Sequence, residues 1–465
     1  MIHQGSLKDY IKKGITRSIE LSTPVLVSQV REIKSIDPQL FFAAGKRKNF
    51  GTRCFWSNPK VDTILVGLGE AYSIISDETA ERFSYVEKDW KQLVYNKILI
   101  DEYSPYGTGP LLLGGFSFDP LKPKTALWKN FSNAKFILPK FMLSIIKGKS
   151  YLTTNIICRP NPADIEEIVK IEESLLNDIK TLTIEENYIS FGKFEVEPHE
   201  WMETVKNAAR KVKDGEVEKV VLAREIRLEF EDDIHVEAVL SRLKEEQPMS
   251  YLFAFEYENA CFIGASPERL IKKDGNEFLT TCLAGSIRRG KTLTQDEQLA
   301  DELLSDPKNL IEHDVVVQMI KNAMKEVCTT ISSPNEPGIY KMRDIQHLFT
   351  PVKGVAKENV SLVTMVNKLH PTPALGGQPK EKALEIIREL EILDRGWYGS
   401  PVGWIDSEDN GEFAVAIRSG LIKGKKASLF AGCGIVEDSE PESEYKETAI
   451  KFRPMLSALG GKNDE

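Results

Sequence analysis

The chain predicts an α+β fold built on largely antiparallel sheet, and three observations carry that prediction. Short β-patterned runs closed by turn residues recur from residue 1 to about 195. From about Pro198, strand runs alternate with amphipathic helices. Tyr251–Ile263 reads as a strand pair, and Phe413–Ile422 with Ala427–Val436 reads as a hairpin joined at Lys423-Gly424-Lys425-Lys426. Neighbours paired in sequence in this way build antiparallel sheet.

In the first segment, 1–195, the strand runs are Pro24–Val30, Thr63–Gly67, Pro110–Phe118 and Lys135–Leu138. Ala163–Ile184 is dense in Glu and reads as an exposed helix bridging the two segments. The second segment, 196–460, opens with Trp201–Asp214, whose apolar residues fall at 201/202, 205, 208/209 and 212 before Gly215 stops the helix. Val217–Phe230 is a strand, and a helix follows near His235–Glu246. Thr294-Gln295-Asp296-Glu297 reads as a capping box opening a helix to about Leu304. Asn309–Cys328 is a longer helix, Pro379 starts Lys380–Leu390, and a last helix begins near Glu442.

Composition narrows the function. The 465 residues are 41% hydrophobic and 28% charged, an ordinary globular balance that excludes disordered, collagenous and coiled-coil classes. A net charge of −9 argues against broad nucleic-acid binding and against docking on anionic membranes. The six cysteines form no C-x-x-C pair, so neither a disulfide scaffold nor a zinc ribbon is expected. No apolar run approaches the length a bilayer requires, and Met1–Asp9 carries no leader-like apolar region. The expectation is a cytoplasmic protein.

Several polar residues sit where chemistry is possible. Lys219 lies in an apolar strand run, where a desolvated lysine suits a general base and a strand-edge lysine snorkelling to water is the simpler alternative. Glu268 follows a strand beside Pro267, as a turn residue paired with Arg269 or as a carboxylic acid held in a cleft. Arg418 ends an apolar strand and suits either carboxylate recognition or a structural ion pair. Glu444, Glu447 and Lys451, at i, i+3 and i+7, share one helix face, and fit either a solvated surface pair or a site for a hard divalent cation. Glu312, three residues after Asn309, is a helix-cap candidate or a further ligand. Gly285-Ser286 and the glycines flanking Cys433, Gly432 and Gly434, suggest bulges or close backbone approach to a ligand. Gly67-Leu68-Gly69 lacks a third glycine and reads as a tight turn, and the scattered histidines form no metal motif.

Together and in order, Lys219-Val-Val-Leu-Ala-Arg224, Ser266-Pro-Glu-Arg-Leu270, Leu283-Ala-Gly-Ser286, Glu312-His313, His370-Pro-Thr-Pro-Ala-Leu375, Tyr398-Gly-Ser-Pro401, Ala416-Ile-Arg418, Ala431-Gly-Cys-Gly-Ile-Val436 and Glu444-Tyr-Lys-Glu447 resemble the chorismate-utilising enzymes over about residues 200–455. The resemblance implies an anthranilate synthase component I-like fold. That fold is a single body of stacked, mainly antiparallel sheets with outer helices, the segment 1–195 integral to it and the catalytic region in 196–460.

Members that add ammonia typically lack the lysine at position 219, and members that add water carry it. The resemblance therefore implies the isochorismate branch, with Lys219 as base and Glu268 as acid. It implies Mg²⁺ on Glu312, Glu447 and nearby Glu444, and chorismate as the partner small molecule. It implies substrate contacts at Gly285, Ser286, Ala374, Tyr398 (at the mouth of the site), Arg418, Gly434 and Lys451, with His370 either touching the substrate ring or standing one layer behind it. No glutamine amidotransferase subunit is expected. Salicylate synthase shares nearly all these residues and is set apart by Ala374, where it tends to carry a hydroxyl side chain. The long first segment resembles menaquinone-type enzymes more than the siderophore type.

Overall fold

Both segments contribute strands to each of two sheets, largely as blocks that join side by side. The computed structural model describes residues 7–100, 105–160, 165–185, 191–343 and 345–460. The first six residues, read above for a leader, and residues 163–164 of the expected Glu-rich helix lie outside that set.

A 13-stranded sheet runs in the order Phe191–Glu195, Lys219–Phe230, Lys426–Ile435, Ser419–Lys423, Ala260–Ser266, Tyr251–Tyr257, Thr52–Ser57, Thr63–Leu68, Phe141–Ile146, Lys149–Cys158, Val25–Ile33 and Ile98–Ile100, with Gly377–Gln378 added beside Lys219. A 10-stranded sheet runs Cys328–Ser332, Ile345–Ala356, Glu277–Arg288, Arg269–Asp274, Gly411–Val415, Pro401–Asp406, Leu111–Phe116, Ala134–Leu138 and Tyr72–Ser76, with Gly338–Lys341 beside Ile345–Ala356. Among the described residues the one parallel pairing joins Val25–Ile33 to Ile98–Ile100.

Both faces of the larger sheet are buried at its middle, so central strands such as Tyr251–Tyr257 and Thr63–Leu68 are apolar with little polar alternation. Tyr251, Phe253, Phe255 and Tyr257 enter the layer shared with the second sheet, while Leu252 and Ala254 enter the layer under the helices Leu7–Leu21, Pro38–Arg47 and Val236–Glu246. Between the sheets Trp128, Phe131, Phe262 and Trp397 meet edge to face, with centroids 5.1 to 6.4 Å apart. Gly396, at φ +51°, leaves room for the indole: a Cβ there would lie 2.0 Å from Trp128.

Four expectations change in detail. The run Phe413–Ile422 is two strands, Gly411–Val415 and Ser419–Lys423, because the chain leaves one sheet and enters the other at Arg418 (φ 52°). The cap of Leu293–Ser305 is Thr292, whose hydroxyl accepts from Gln295 N, while the Gln295 side chain accepts from Lys291 N. The capping box therefore starts two residues early. The helix expected from Asn309 is Pro307–Val327, capped by Asp306, which removes Glu312 from the cap and puts it a turn deeper. The Glu-rich helix is Ile165–Asp178, and it packs on Pro38–Arg47 of its own segment. Ile168 and Leu175 are buried against the first segment, where Glu172 bonds Arg31 and Thr154.

Arg53 ties the two segments together. Its side chain is 1% exposed and reaches Glu237 at 2.5 Å and Glu256 at 2.6 Å. Breaking such a buried network strands two carboxylates without a counter-charge. Arg53→Ala is expected to destabilise the fold by about 3–5 kcal/mol in urea unfolding.

Candidate active site

The strand Lys219–Phe230 is the spine of the site. Its antiparallel partner sets Val221 opposite Gly434 and Ala223 opposite Gly432. Lys219, Val221 and Ala223 share one face of the strand and line a cavity of about 780 Å³. The glycines keep that face clear. A Cβ on Gly434 would come within 2.5 Å of Lys219 Cε, so the lysine lies across the space a side chain would fill. No bulge interrupts the pairing there, and what lies against the backbone at Gly434 is the Lys219 side chain. At Gly285 the bulge reading holds: the register slips between Leu283 and Ser286, with Gly285 at φ +77° against Asn309.

The remaining expected residues arrive from separate elements. Glu312 extends from Pro307–Val327, and its Oε1 accepts from Lys219 Nζ at 2.6 Å. Glu268 follows the strand Ala260–Ser266, its amide donating to Ser266 Oγ at 3.2 Å. Arg269 pairs with Glu412, not with Glu268. Burial pushes the Glu268 carboxyl up to about 7, against the pull of Arg418. Arg418 comes from the crossover between sheets, and among the described residues it has no ion pair. Burial lowers its pKa, with Tyr398, Glu268 and Glu447 acting the other way.

The helix Pro441–Ala458 presents Glu444, Glu447 and Lys451 to the cavity. Lys451 Nζ donates to Gly432 O at 2.9 Å and to Glu447 Oε1 at 2.6 Å, so the i, i+4 pair exists but stands on the cavity wall. Burial raises the Glu444 carboxyl, and Glu447 beside it adds to the rise. Among the described residues these carboxylates do not close into a three-ligand cluster. The donor set is nonetheless all hard oxygen, and Mg²⁺ takes one or two carboxylates together with waters or substrate oxygens.

Ser286 and Ala374 line the cavity as expected. Tyr398 also lines the cavity, only 6% exposed, with its ring tilted over Phe430 at 5.5 Å. His370 is not in the cavity. It stands one layer behind, buried between Phe83 and Phe118 with Nε2 3.0 Å from Phe118 O, and of its motif residues 373–375 line the ligand space.

The histidine that does line it, missed in the sequence, is His347, which pairs across the sheet with Ser286. Burial, reinforced by Arg418 and Lys451, pushes His347 down to about 3, so it is a neutral imidazole, and its Nε2 is buried without a partner. Period-2 alternation in Ile345–Ala356 groups His347 with residues 345 and 349, but nothing in that strand says which face meets the cavity. Arg395 was also missed. It donates to Val221 O at 2.6 Å and Leu375 O at 3.0 Å, and pairs with Glu391.

This cavity brings Lys219, Arg395, Arg418 and Lys451 together with the carboxylates Glu312, Glu444 and Glu447 and the buried acid Glu268, a lining that suits an anionic substrate. The comparisons agree. Residues 13–460 match the family model described as "Chorismate binding enzyme", and the chain belongs to that family. It is 44% identical to isochorismate synthase MenF of Bacillus subtilis (strain 168), over 98% of each chain. It is 33% identical to the salicylate biosynthesis isochorismate synthase of Pseudomonas aeruginosa, over 98% of this chain and 95% of the relative. The solved structure of MenF, the menaquinone-specific isochorismate synthase from Escherichia coli, superposes with a TM-score of 0.77 at 22% identity, covering 97% of this chain and 99% of that one, and so shares the fold.

The buried acid has a measurable consequence. A carboxyl raised from about 4.5 to about 7 holds its proton more tightly in the folded state. Its contribution is full below pH 4.5, is lost as pH rises to 7, and stays lost above, by roughly 3 kcal/mol. Glu268→Gln is therefore expected to be more stable than the parent at pH 8, with the difference vanishing near pH 4.5, as read by urea unfolding across pH.

Proposed function

We propose that this protein is an isochorismate synthase, converting chorismate to isochorismate by adding water at C2 and expelling the C4 hydroxyl. The observation that carries the reading is that Lys219 and Glu268 line the same cavity, one an amine within reach of solvent and the other a buried carboxyl held up to about 7. Water as nucleophile needs a base, and hydroxide as leaving group needs an acid. Lys219 Nζ takes a proton as the water oxygen bonds C2. The ring double bonds shift, the C4–O bond breaks, and Glu268 protonates the departing hydroxyl, which leaves as water. One water enters and one leaves, and solvent restores both groups.

Arg418 and Lys451, with backbone groups at Gly285 and Gly434, hold the substrate carboxylates, while Ser286, Ala374, Tyr398 and neutral His347 contact the rest. Glu312, Glu444 and Glu447 would hold Mg²⁺, which when bound neutralises and orients a substrate carboxylate. Glu312 also accepts from Lys219 Nζ and so holds the amine at the cavity wall. With water as nucleophile the enzyme acts without a glutamine amidotransferase subunit. Six free, buried cysteines support a reducing compartment such as the cytoplasm, and no described helix is long and apolar enough to cross a membrane. The identity of 44% to MenF of Bacillus subtilis, against 33% to the salicylate-pathway relative over the same share of this chain, supports a place in menaquinone synthesis. Rescue of a deletion strain by menaquinone would bear this out, and rescue by a catecholate siderophore would move the enzyme to that pathway.

The test is product analysis of the full chain with chorismate and Mg²⁺, with and without EDTA. Isochorismate approaching an equilibrium mixture, and blocked by EDTA, is the expected result. Salicylate and pyruvate would assign the protein as a salicylate synthase, and unchanged chorismate would overturn the reading. Lys219→Ala is expected to lose about 10²–10⁴-fold in turnover with the fold intact. Gly434→Ala, which puts a methyl where Lys219 lies, should lower turnover in the same direction.

A further inference from the structure

We propose that Arg224 is a positioning residue for the metal: it locks the rotation of the C-terminal helix and so aims Glu444 and Glu447 into the cavity. The inference rests on the reading above that those carboxylates hold Mg²⁺.

Arg224 lies on the same strand as Lys219 but on its other face. It is 4% exposed and fully engaged. Nε donates to Thr448 Oγ1 at 2.7 Å, NH1 to Glu195 Oε2 at 2.8 Å and NH2 to the Tyr445 carbonyl at 3.4 Å. The Tyr445 hydroxyl donates to the same Glu195 oxygen. The guanidinium also lies 3.8 Å from the Tyr445 ring centroid and 4.9 Å from that of Phe452.

Residues 445, 448 and 452 form one stripe of Pro441–Ala458, at i, i+3 and i+7. The cavity-lining residues 444, 447 and 451 form the adjacent stripe with the same spacing. Successive residues of a helix are about 100° apart, so fixing the first stripe fixes where the second points. Five donors in a rigid plane suit arginine to this grip, and a lysine has one nitrogen to offer. The strand that carries the proposed base thereby also orients the carboxylates proposed to hold Mg²⁺.

The experiment measures Mn²⁺ binding to the full chain by electron paramagnetic resonance, alongside the Mg²⁺ dependence of turnover, for wild type, Arg224→Lys, Tyr445→Phe and Arg227→Lys. Arg224→Lys should weaken Mn²⁺ binding and raise the half-saturating Mg²⁺ by about 10–100-fold, with turnover recovering as metal is raised. Tyr445→Phe keeps the ring and loses one hydrogen bond, and should shift both in the same direction by less. It serves as the test if the arginine variant does not fold. Arg227→Lys, whose partner Glu225 lies on the same strand, should move neither. Wild-type Mn²⁺ binding in a folded but less stable Arg224→Lys protein would make the contact purely structural and overturn the proposal. Wild-type Mn²⁺ binding in Glu447→Ala would remove the metal reading itself, and the clamp with it.

Discussion

The pairing of Lys219–Phe230 with Lys426–Ile435 is the constraint on which the rest of the site depends. Ten residue pairs in register bring an apolar strand against one that carries glycine at 432 and 434. A side chain at 434 would collide with Lys219. The ladder supplies rigidity through backbone hydrogen bonds, and the missing side chains supply the volume. From that ladder the other parts are hung. Gly377–Gln378 extends it at Lys219, Arg395 ties it to the loop carrying Ala374, and Arg224 ties it to the C-terminal helix.

Placing so many charges in an apolar interior is costly unless each has a partner or is neutral. The cavity uses both solutions. Lys219 and Lys451 lie against Glu312 and Glu447, while Glu268 and His347 are driven toward their neutral forms by burial. Arg418 is the exception among the described cavity residues, a half-buried cation with no ion pair. An unpaired guanidinium so placed is a standing attraction for a carboxylate that arrives from outside.

Much of this was legible in the sequence because it is written in local chemistry. The helix 198–213 announces itself by period, the turn at Gly69 by its glycine, and the ordered motifs from Lys219 to Glu447 by their joint order rather than by any one residue. The errors were errors of context. His370 belongs to a motif that reaches the cavity, yet its own ring is turned into a pocket of Phe83 and Phe118. His347 belongs to a strand with unremarkable alternation, yet its neighbour across the ladder is Ser286. Phe413–Ile422 has one uninterrupted β pattern, and only the presence of a second sheet explains why it breaks at Arg418.

By itself the sequence determined the class of fold, the residue types available for chemistry and the face each occupies on its own helix or strand, because period and capping are properties of a few consecutive residues. The tertiary structure alone decided which of those faces meet. Glu312 and Lys219 are 93 positions apart and 2.6 Å distant, and the sheet crossover that carries Arg418 joins strands from different sheets. Whether a lysine snorkels or stands as a base, and whether a helix face is solvated or lines a cavity, depends on the dielectric and the partners around it. Those are set by long-range packing, which no local pattern encodes.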